Sequence, residues 1–314
     1  MTQPSERPDP SSTAAVIVAH EPDDGFLRRL EPAVAQVGGV VIVDNSTSAG
    51  GRERVASVAR AVGADLRGEG RNVGLGAALN AGLARAGELG FRWVLCLDQD
   101  TEALPTMMKT LAAAFDDHPE PELVAVVGSR SVDDEPPAGS ANRNWVARSD
   151  VMTAGSLIDV AAAKDVGSFR EDFFIDYVDF EMCLRLRSRG YRVIVAVEPT
   201  MVHGAGRPRW HRILGTSVLT SHHDADRRYS MTRNRLVVWR RYVRTDPRFV
   251  LDDVIRFCKE MAKMLLVESD RLRKLRGVAH GVLDALRGRM GPLGAPRRPS
   301  ERATRFRRGP DEKY

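Results

Sequence analysis

The chain has 314 residues, 43% hydrophobic and 28% charged, which suits a globular protein with one large α/β domain or one domain with a helical appendage. Its three cysteines, Cys96, Cys183 and Cys258, stand far apart with no C-x-x-C. That excludes a disulfide framework and a zinc knuckle and suits a reducing cytoplasm. No stretch approaches the roughly 20 apolar residues needed to span a bilayer, residues 1–13 are not a signal peptide, and the net charge of +5 is weighted toward an arginine-rich end, so a soluble or peripheral protein is expected.

Residues 1–13, polar and proline-containing, read as a disordered leader. Ala14 to Ala19 form a continuous apolar, β-branched run stopped by His20-Glu21-Pro22, which predicts a fully buried first strand. A helix over residues 24–37 follows, then Gly38-Gly39 and a second strand, Val40 to Val43, ending at Asp44-Asn45-Ser46. This spacing predicts a right-handed βαβ unit with polar residues collected at the strand tips. A second helix over 51–62 and a short strand over 64–66 come next. From Arg71-Asn72-Val73-Gly74 to Gly82 a glycine-containing turn runs into a helix of small residues. Arg71 beside a helix N-terminus favours an anion, and tight helix-on-sheet packing wants the same small residues.

Residues 93–101, Trp-Val-Leu-Cys-Leu-Asp-Gln-Asp-Thr, carry the chemistry. Val94, Leu95 and Leu97 read as a buried strand, and an acid pair at its carboxyl end lies where open α/β sheets bind ligands. With a period of two, Asp98 and Asp100 point to the same side. Two like charges held that close repel, so one keeps a proton unless a divalent metal neutralises both. Hard oxygen ligands favour Mg²⁺ or Mn²⁺, whose shell is completed by water and phosphate. Taken alone, a D-x-D is more often an acidic turn.

Past it, the pattern predicts a helix over 105–118, a strand at Val124 to Val127, and a mobile polar loop over 129–150. Residues 173–191 pass from an aromatic, acidic stretch containing Asp176, Asp179 and Glu181 into an amphipathic helix that ends at Gly190. Acids in a first turn are favoured by the helix dipole whatever else they do. A strand from Tyr191 to Val197 follows, and His203 sits in a glycine-rich turn, where a lone histidine is usually a hydrogen-bonded loop residue. Residues 227–234, Arg-Arg-Tyr-Ser-Met-Thr-Arg-Asn, hold arginines suited to bidentate contact with phosphate, or to an ordinary charged helix face.

The order of parts resembles an inverting family 2 glycosyltransferase of GT-A fold over roughly residues 14–240, an α/β architecture with a mostly parallel sheet flanked by helices. Asp98-Gln99-Asp100-Thr101, the D-Y-V-D string ending at Asp179 and the R-x-Y-x-x-x-R-N run are similar to the rhamnosyltransferase branch. The resemblance implies a metal-dependent transfer of a sugar, L-rhamnose from dTDP-rhamnose before a UDP-linked donor, to a hydroxyl of a bacterial cell-surface glycan or lipid-linked saccharide. Carried over, Val18, His20, Glu21 and Asp44 hold the nucleobase, and Arg71, Asn72 and Gly74 line the nucleotide pocket. Asp98 approaches ribose and metal, while Asp100 and His203 ligate Mg²⁺ or Mn²⁺. Gly155 and Ser156 lie beneath the acceptor, Arg233 contacts phosphate or acceptor, and Asp179 takes the base position of the family's E-D-x-D-x-C-L-R. Val178 departs from that motif where Glu is usual, and Glu181 is left as a packing acid.

Two rivals stand beside it. A nucleotidyltransferase making an activated sugar would share acids and metal, but no glycine-rich basic segment follows Ala19. A nucleic-acid-binding protein is suggested only by the arginine tail, and 6% aromatic residues with no recognition module argue against it. Residues 241–290 read as a helical extension whose stripe of Val254, Phe257, Met261, Met264 and Leu265, interleaved with Lys and Arg, fits packing on the catalytic domain first, then pairing with a second copy or peripheral contact with the inner face of the cell membrane. Residues 291–314 read as a disordered basic tail.

Overall fold

The structure, a computed structural model, describes residues 6–137, 139–203, 209–213, 216–220 and 222–292. The chain runs β1 (Thr13–Ala19), α1 (Phe26–Val34), β2 (Gly39–Asp44), α2 (Ala49–Val62), β3 (Asp65–Gly68), α3 (Leu75–Glu88), β4 (Trp93–Asp98), β5 (Thr101–Ala103) and α4 (Met107–Asp116). It continues through β6 (Val124–Gly128), β7 (Trp145–Ala147), β8 (Leu157–Asp159), α5 (Val160–Asp165), α6 (Val178–Ser188), β9 (Arg192–Ala196) and β10 (Met201–His203). Last come β11 (Arg209–Ile213), β12 (Thr216–Thr220), α7 (Ala225–Tyr242), α8 (Pro247–Val267) and α9 (Arg271–Leu286).

Eight strands form one sheet in the order β3-β2-β1-β4-β8-β6-β9-β7. The first four are mutually parallel, β8 is antiparallel to both neighbours, and β7 is antiparallel to β9. Parallel strands covered on both faces are apolar at every position, and alternate residues enter different cores. Val16, Val41, Val94, Cys96 and Val126 face the side carrying α3, α6 and α7. Ala15, Ile17, Ile42, Leu95, Leu97 and Val127 face the side carrying α1, α2 and α4. Fully burying one such branched side chain is worth roughly 1.5–3 kcal/mol. The result is a three-layer α/β/α domain whose parallel strand tips all open on one edge.

Two small antiparallel ribbons stand outside that sheet. β5 pairs with β10, setting His203 opposite Thr101, and β11 pairs with β12. The loop expected over 129–150 contains β7, which closes the sheet against β9. Its three residues carry no long alternation, so pairing rather than local pattern makes it a strand. Residues 6–12, expected as part of a disordered leader, are tied down: Trp93 Nε1 donates to Glu6 O at 2.9 Å, and Arg7 pairs with Asp116 at 2.9 Å. Residues 1–5 and, from 293 on, the expected basic tail lie outside the described residues.

The helices of the extension expected from residue 241 are present and pack on the rest of the chain. α7 packs along α9, where Gly281 has no room for a Cβ because Tyr229 O would lie 2.6 Å away. α8 reaches into the catalytic half through Asp253, fully buried, which accepts from Tyr177 Oη at 2.9 Å, Trp239 Nε1 at 2.8 Å and Arg235 Nε at 3.1 Å. A buried carboxylate with three donors is a fixed anchor, since any unpaired charge there is costly. Among the described residues no helix is long and apolar enough to cross a membrane.

Candidate active site

Three adjacent strand tips build the site. In register, Val18 sits between Val43 and Asp98, and Ala19 beside Asp44, so β1, β2 and β4 deliver their polar ends side by side. Past the β4 tip, Gln99 turns back: its Oε1 accepts from His20 N at 2.7 Å and its carbonyl from Arg29 Nε at 3.0 Å. That clip separates Gln99 from the two acids on either side of it. Asp98, Asp100 and His203 then converge, with one ligand atom from each within 4.8 Å of the others. His203 Nδ1 lies 3.0 Å from Thr101 Oγ1 and 3.7 Å from Asp100 Oδ1, so the β5–β10 ribbon orients the ring. Burial, and then the Asp100 charge, push the Asp98 carboxyl upward; His203 and Arg227 oppose that shift. Two carboxylates and an imidazole, with a half-buried acid repelled by its neighbour, are the donor set and the electrostatic defect that a hard divalent cation such as Mg²⁺ or Mn²⁺ would satisfy.

The loop at the β2 tip is organised by Glu21, itself in the left-handed region at φ 48°. Its carboxylate accepts from Ser48 Oγ, from Ser48 N at 2.8 Å and from Thr47 N at 2.8 Å. These bonds, led by the Ser48 hydroxyl, draw its pKa down to about 2. Glu21 is thus engaged in shaping the turn before α2, while His20 stays exposed. Asp44 Oδ1 accepts from Ser46 N at 2.8 Å. Asn45, which sequence patterning gives no reason to single out, links two loops: it accepts from Val73 N at 3.3 Å and donates to Gly74 O at 3.2 Å. Asn72 Oδ1 accepts from Gly74 N at 2.9 Å, capping the turn into α3. A cleft of about 710 Å³ is lined here by Asp44, Asn45, Arg67, Arg71 and Asn80, with Arg71 exposed and paired to Glu69.

Gly74 has φ +88°, and a Cβ there would meet Phe174 O at 2.8 Å and Phe174 Cδ2 at 2.5 Å. Gly74→Ala is therefore expected to destabilise the fold by about 1–3 kcal/mol, measured as a drop in urea midpoint at constant m-value.

Asp179 opens the second acidic group, at the start of α6. Its carboxylate accepts from Thr153 N at 3.1 Å and Phe180 N at 2.9 Å, above an apolar floor of Val126, Ile158, Met182 and Cys183. Burial raises its pKa to about 7; the backbone donors resist that rise and the Asp98 charge adds to it. A carboxyl poised near neutrality is a competent proton acceptor. Glu181, fully buried, pairs with Arg185 at 2.8 Å and accepts from Tyr242 Oη at 2.9 Å, a packing acid as expected.

Two expected contacts are corrected by burial. Arg233 is 1% exposed and spends its guanidinium on Phe173 O, Asn234 Oδ1 and Gly291 O, so it does not reach a phosphate or an acceptor. Ser156 is also buried and donates to Met152 O, while Gly155, at φ +75°, packs under β4 with its N–H on Cys96 O at 2.8 Å. They support the floor of the site. The arginine that faces it is Arg227, at the first turn of α7, with Nε 3.1 Å from Asp176 Oδ1 and its charge felt at Asp98. The R-x-Y-x-x-x-R-N run contains both arginines, and the packing of α7 reverses the preference for Arg233 over Arg227.

The doubly covered, mostly parallel sheet with acids at its carboxyl edge is an α/β architecture of GT-A type. Residues 16–154 match the family model "Glycosyl transferase family 2". The chain is 26% identical over 252 residues to the dTDP-rhamnosyl transferase RfbF of Shigella flexneri, covering 74% of this chain and 81% of that protein. Among solved structures, Staphylococcus aureus TarS 1-349 in complex with UDP-GlcNAc superposes with a TM-score of 0.57 at 14% identity, over 87% of this chain and 81% of TarS. The mannosyltransferase PcManGT of Pyrobaculum calidifontis, in complex with GDP-Man and Mn²⁺, gives 0.51 at 18% identity, over 91% and 79%.

Proposed function

We propose that the enzyme moves L-rhamnose from dTDP-rhamnose, by a metal-dependent inverting displacement, to a hydroxyl of a bacterial cell-surface glycan or lipid-linked saccharide. The observation that carries it is the separation of two acidic groups: Asp98, Asp100 and His203 on one side, and Asp179, half-buried and poised near neutrality, on the other. The chemistry of transfer needs both. Asp179 removes the acceptor proton as the hydroxyl oxygen attacks the anomeric carbon and the bond to the diphosphate oxygen breaks on the opposite face. Arg227 offers its guanidinium to the departing diphosphate. A Mg²⁺ or Mn²⁺ ion held by Asp98, Asp100 and His203 would supply further positive charge there. Asp44, Arg71 and Val73 border a cleft of nucleoside size, while Val18, His20 and Glu21, at and just past the end of β1, are not among its lining residues.

The likeness to the rhamnosyl transferase supports this donor, and UDP-linked sugars are the second reading because TarS, of the same fold, is seen with UDP-GlcNAc. Thermal shift separates them. A ligand that binds only the folded state raises the melting temperature by mass action. With Mn²⁺ present, dTDP is expected to stabilise more than UDP, GDP or ATP, and to lose much of its effect in EDTA. Greater stabilisation by UDP would keep the transferase and discard rhamnose; no response to any would remove the diphosphate site.

A further inference from the structure

The segment that delivers Asp179 is built from backbone most sequences avoid. Phe174, Asp176 and Tyr177 have φ of 65°, 62° and 64°, three left-handed residues in four positions with no glycine among them. Such a run persists only where its surroundings hold it. The holding group comes from α7. Asn234 is fully buried, and its Nδ2 donates to Phe173 O at 3.1 Å, Ile175 O at 2.8 Å and Asp176 O at 2.9 Å. Two amide hydrogens thus serve three carbonyls of one turn. Its Oδ1 accepts from Arg233 Nε at 3.0 Å, which fixes the amide's orientation, and Arg233 sends Nη2 to Phe173 O at 3.0 Å. Tyr177, the last residue of the run, is pinned from α8 by the bond of its hydroxyl to Asp253 at 2.9 Å.

We propose that Arg233 and Asn234 are positioning residues for the transfer reaction: by gripping the carbonyls of Phe173, Ile175 and Asp176 they impose the left-handed run that sets where α6 begins, and so where the Asp179 carboxylate lies. The proposal rests on the assignment of Asp179 as the base. It explains why two polar side chains are wholly sunk in the protein without touching the cleft. The neighbouring charge that bears on Asp179 is Asp98 across the site, and the thiol of Cys183 beneath it is kept neutral by burial.

Two variants test it in the full chain. Asn234→Asp keeps the shape and removes the donors; Arg233→Lys keeps the charge and removes the fork. Hydrogen–deuterium exchange of the ligand-free protein should rise at the amides of residues 173–181 and stay at wild-type rates in β1, β2 and β4. With dTDP-rhamnose as probe and water as acceptor, kcat for dTDP release should fall roughly 10²-fold for Asn234→Asp and less for Arg233→Lys, with KM nearly unchanged. The acid limb of kcat should also move to lower pH, because a loosened Asp179 is better hydrated. Exchange that rises evenly across the sheet, a uniform loss with an unmoved pH limb, or failure of both variants to fold would overturn the positioning role. Should Asp179→Asn release dTDP as fast as wild type, the base assignment fails instead, and the exchange result stands by itself.

Discussion

Asp179→Asn is expected to reduce transfer by roughly 10²–10⁴-fold, the usual contribution of a general base, while the affinity for dTDP stays within a factor of about two. Thr153 N and Phe180 N meet different oxygens of the carboxylate, so the carboxamide oxygen keeps one of the two bonds and the start of α6 retains a side-chain acceptor. What is lost is the ability to take a proton. Calorimetric titration of dTDP together with single-turnover transfer checks both halves, and undiminished turnover would remove Asp179 from the chemistry.

The same carboxyl sets the pH dependence. Its pKa is raised by burial to about 7, and a base must be ionised to act, so kcat should climb with pH through about 7 and flatten above it. The stability effect runs the other way. A carboxyl whose folded pKa lies above its unfolded value stabilises the native state fully at low pH, and that advantage is lost as pH rises from about 4 through about 7. Asp179→Asn, neutral at every pH, should therefore match wild type in stability near pH 4 and exceed it at pH 8, by on the order of 1–4 kcal/mol. Urea melts at the two pH values measure the difference.

Much of this was legible in the sequence because it depends on local pattern. The β1, β2 and β4 strands announce themselves as unbroken apolar runs, since a strand covered on both faces has no polar position to alternate with. The acid pair at the tip of β4 and the acidic start of α6 are readable for the same reason: the residue type and the place in the element coincide. What the sequence withheld depends on contacts between distant segments. Gln99 clips to His20 across 79 positions, and Asn45 joins the Gly74 turn 28 and 29 positions away. Neither carries a motif. β7 exists only because β9 lies beside it. Arg233 and Arg227 are six residues apart on one helix, so nothing local distinguishes the buried clamp from the cation facing the site. An arginine motif states that the guanidinium matters, and the packing of α7 decides to what.

Asp100→Ala is expected to abolish the Mn²⁺-dependent part of dTDP stabilisation without weakening the fold. The Asp100 side chain is 53% exposed, so truncation removes no core contact, and the ligand-free melting temperature should stay within the small range of surface substitutions. It does remove one of two carboxylates and relieves the charge that pushes Asp98 upward. The variant therefore keeps a shaped site with a poorer cation-binding set. His203→Ala should act in the same direction, since the imidazole is a borderline donor that a hard-oxygen pair alone does not replace. Thr101→Val is the finer test: it leaves β5 paired with β10 but deletes the 3.0 Å bond to His203 Nδ1. Loss of such an orienting partner typically weakens metal binding by about 10–100-fold, so the Mn²⁺ concentration for half-maximal dTDP stabilisation should rise by that factor in Thr101→Val, with the plateau retained. Asp100→Ala should lose the plateau itself. If Asp100→Ala kept the full Mn²⁺-dependent shift, the ion would have to lie elsewhere, and the convergence of Asp98, Asp100 and His203 would be a hydrogen-bonded corner of the β5–β10 ribbon.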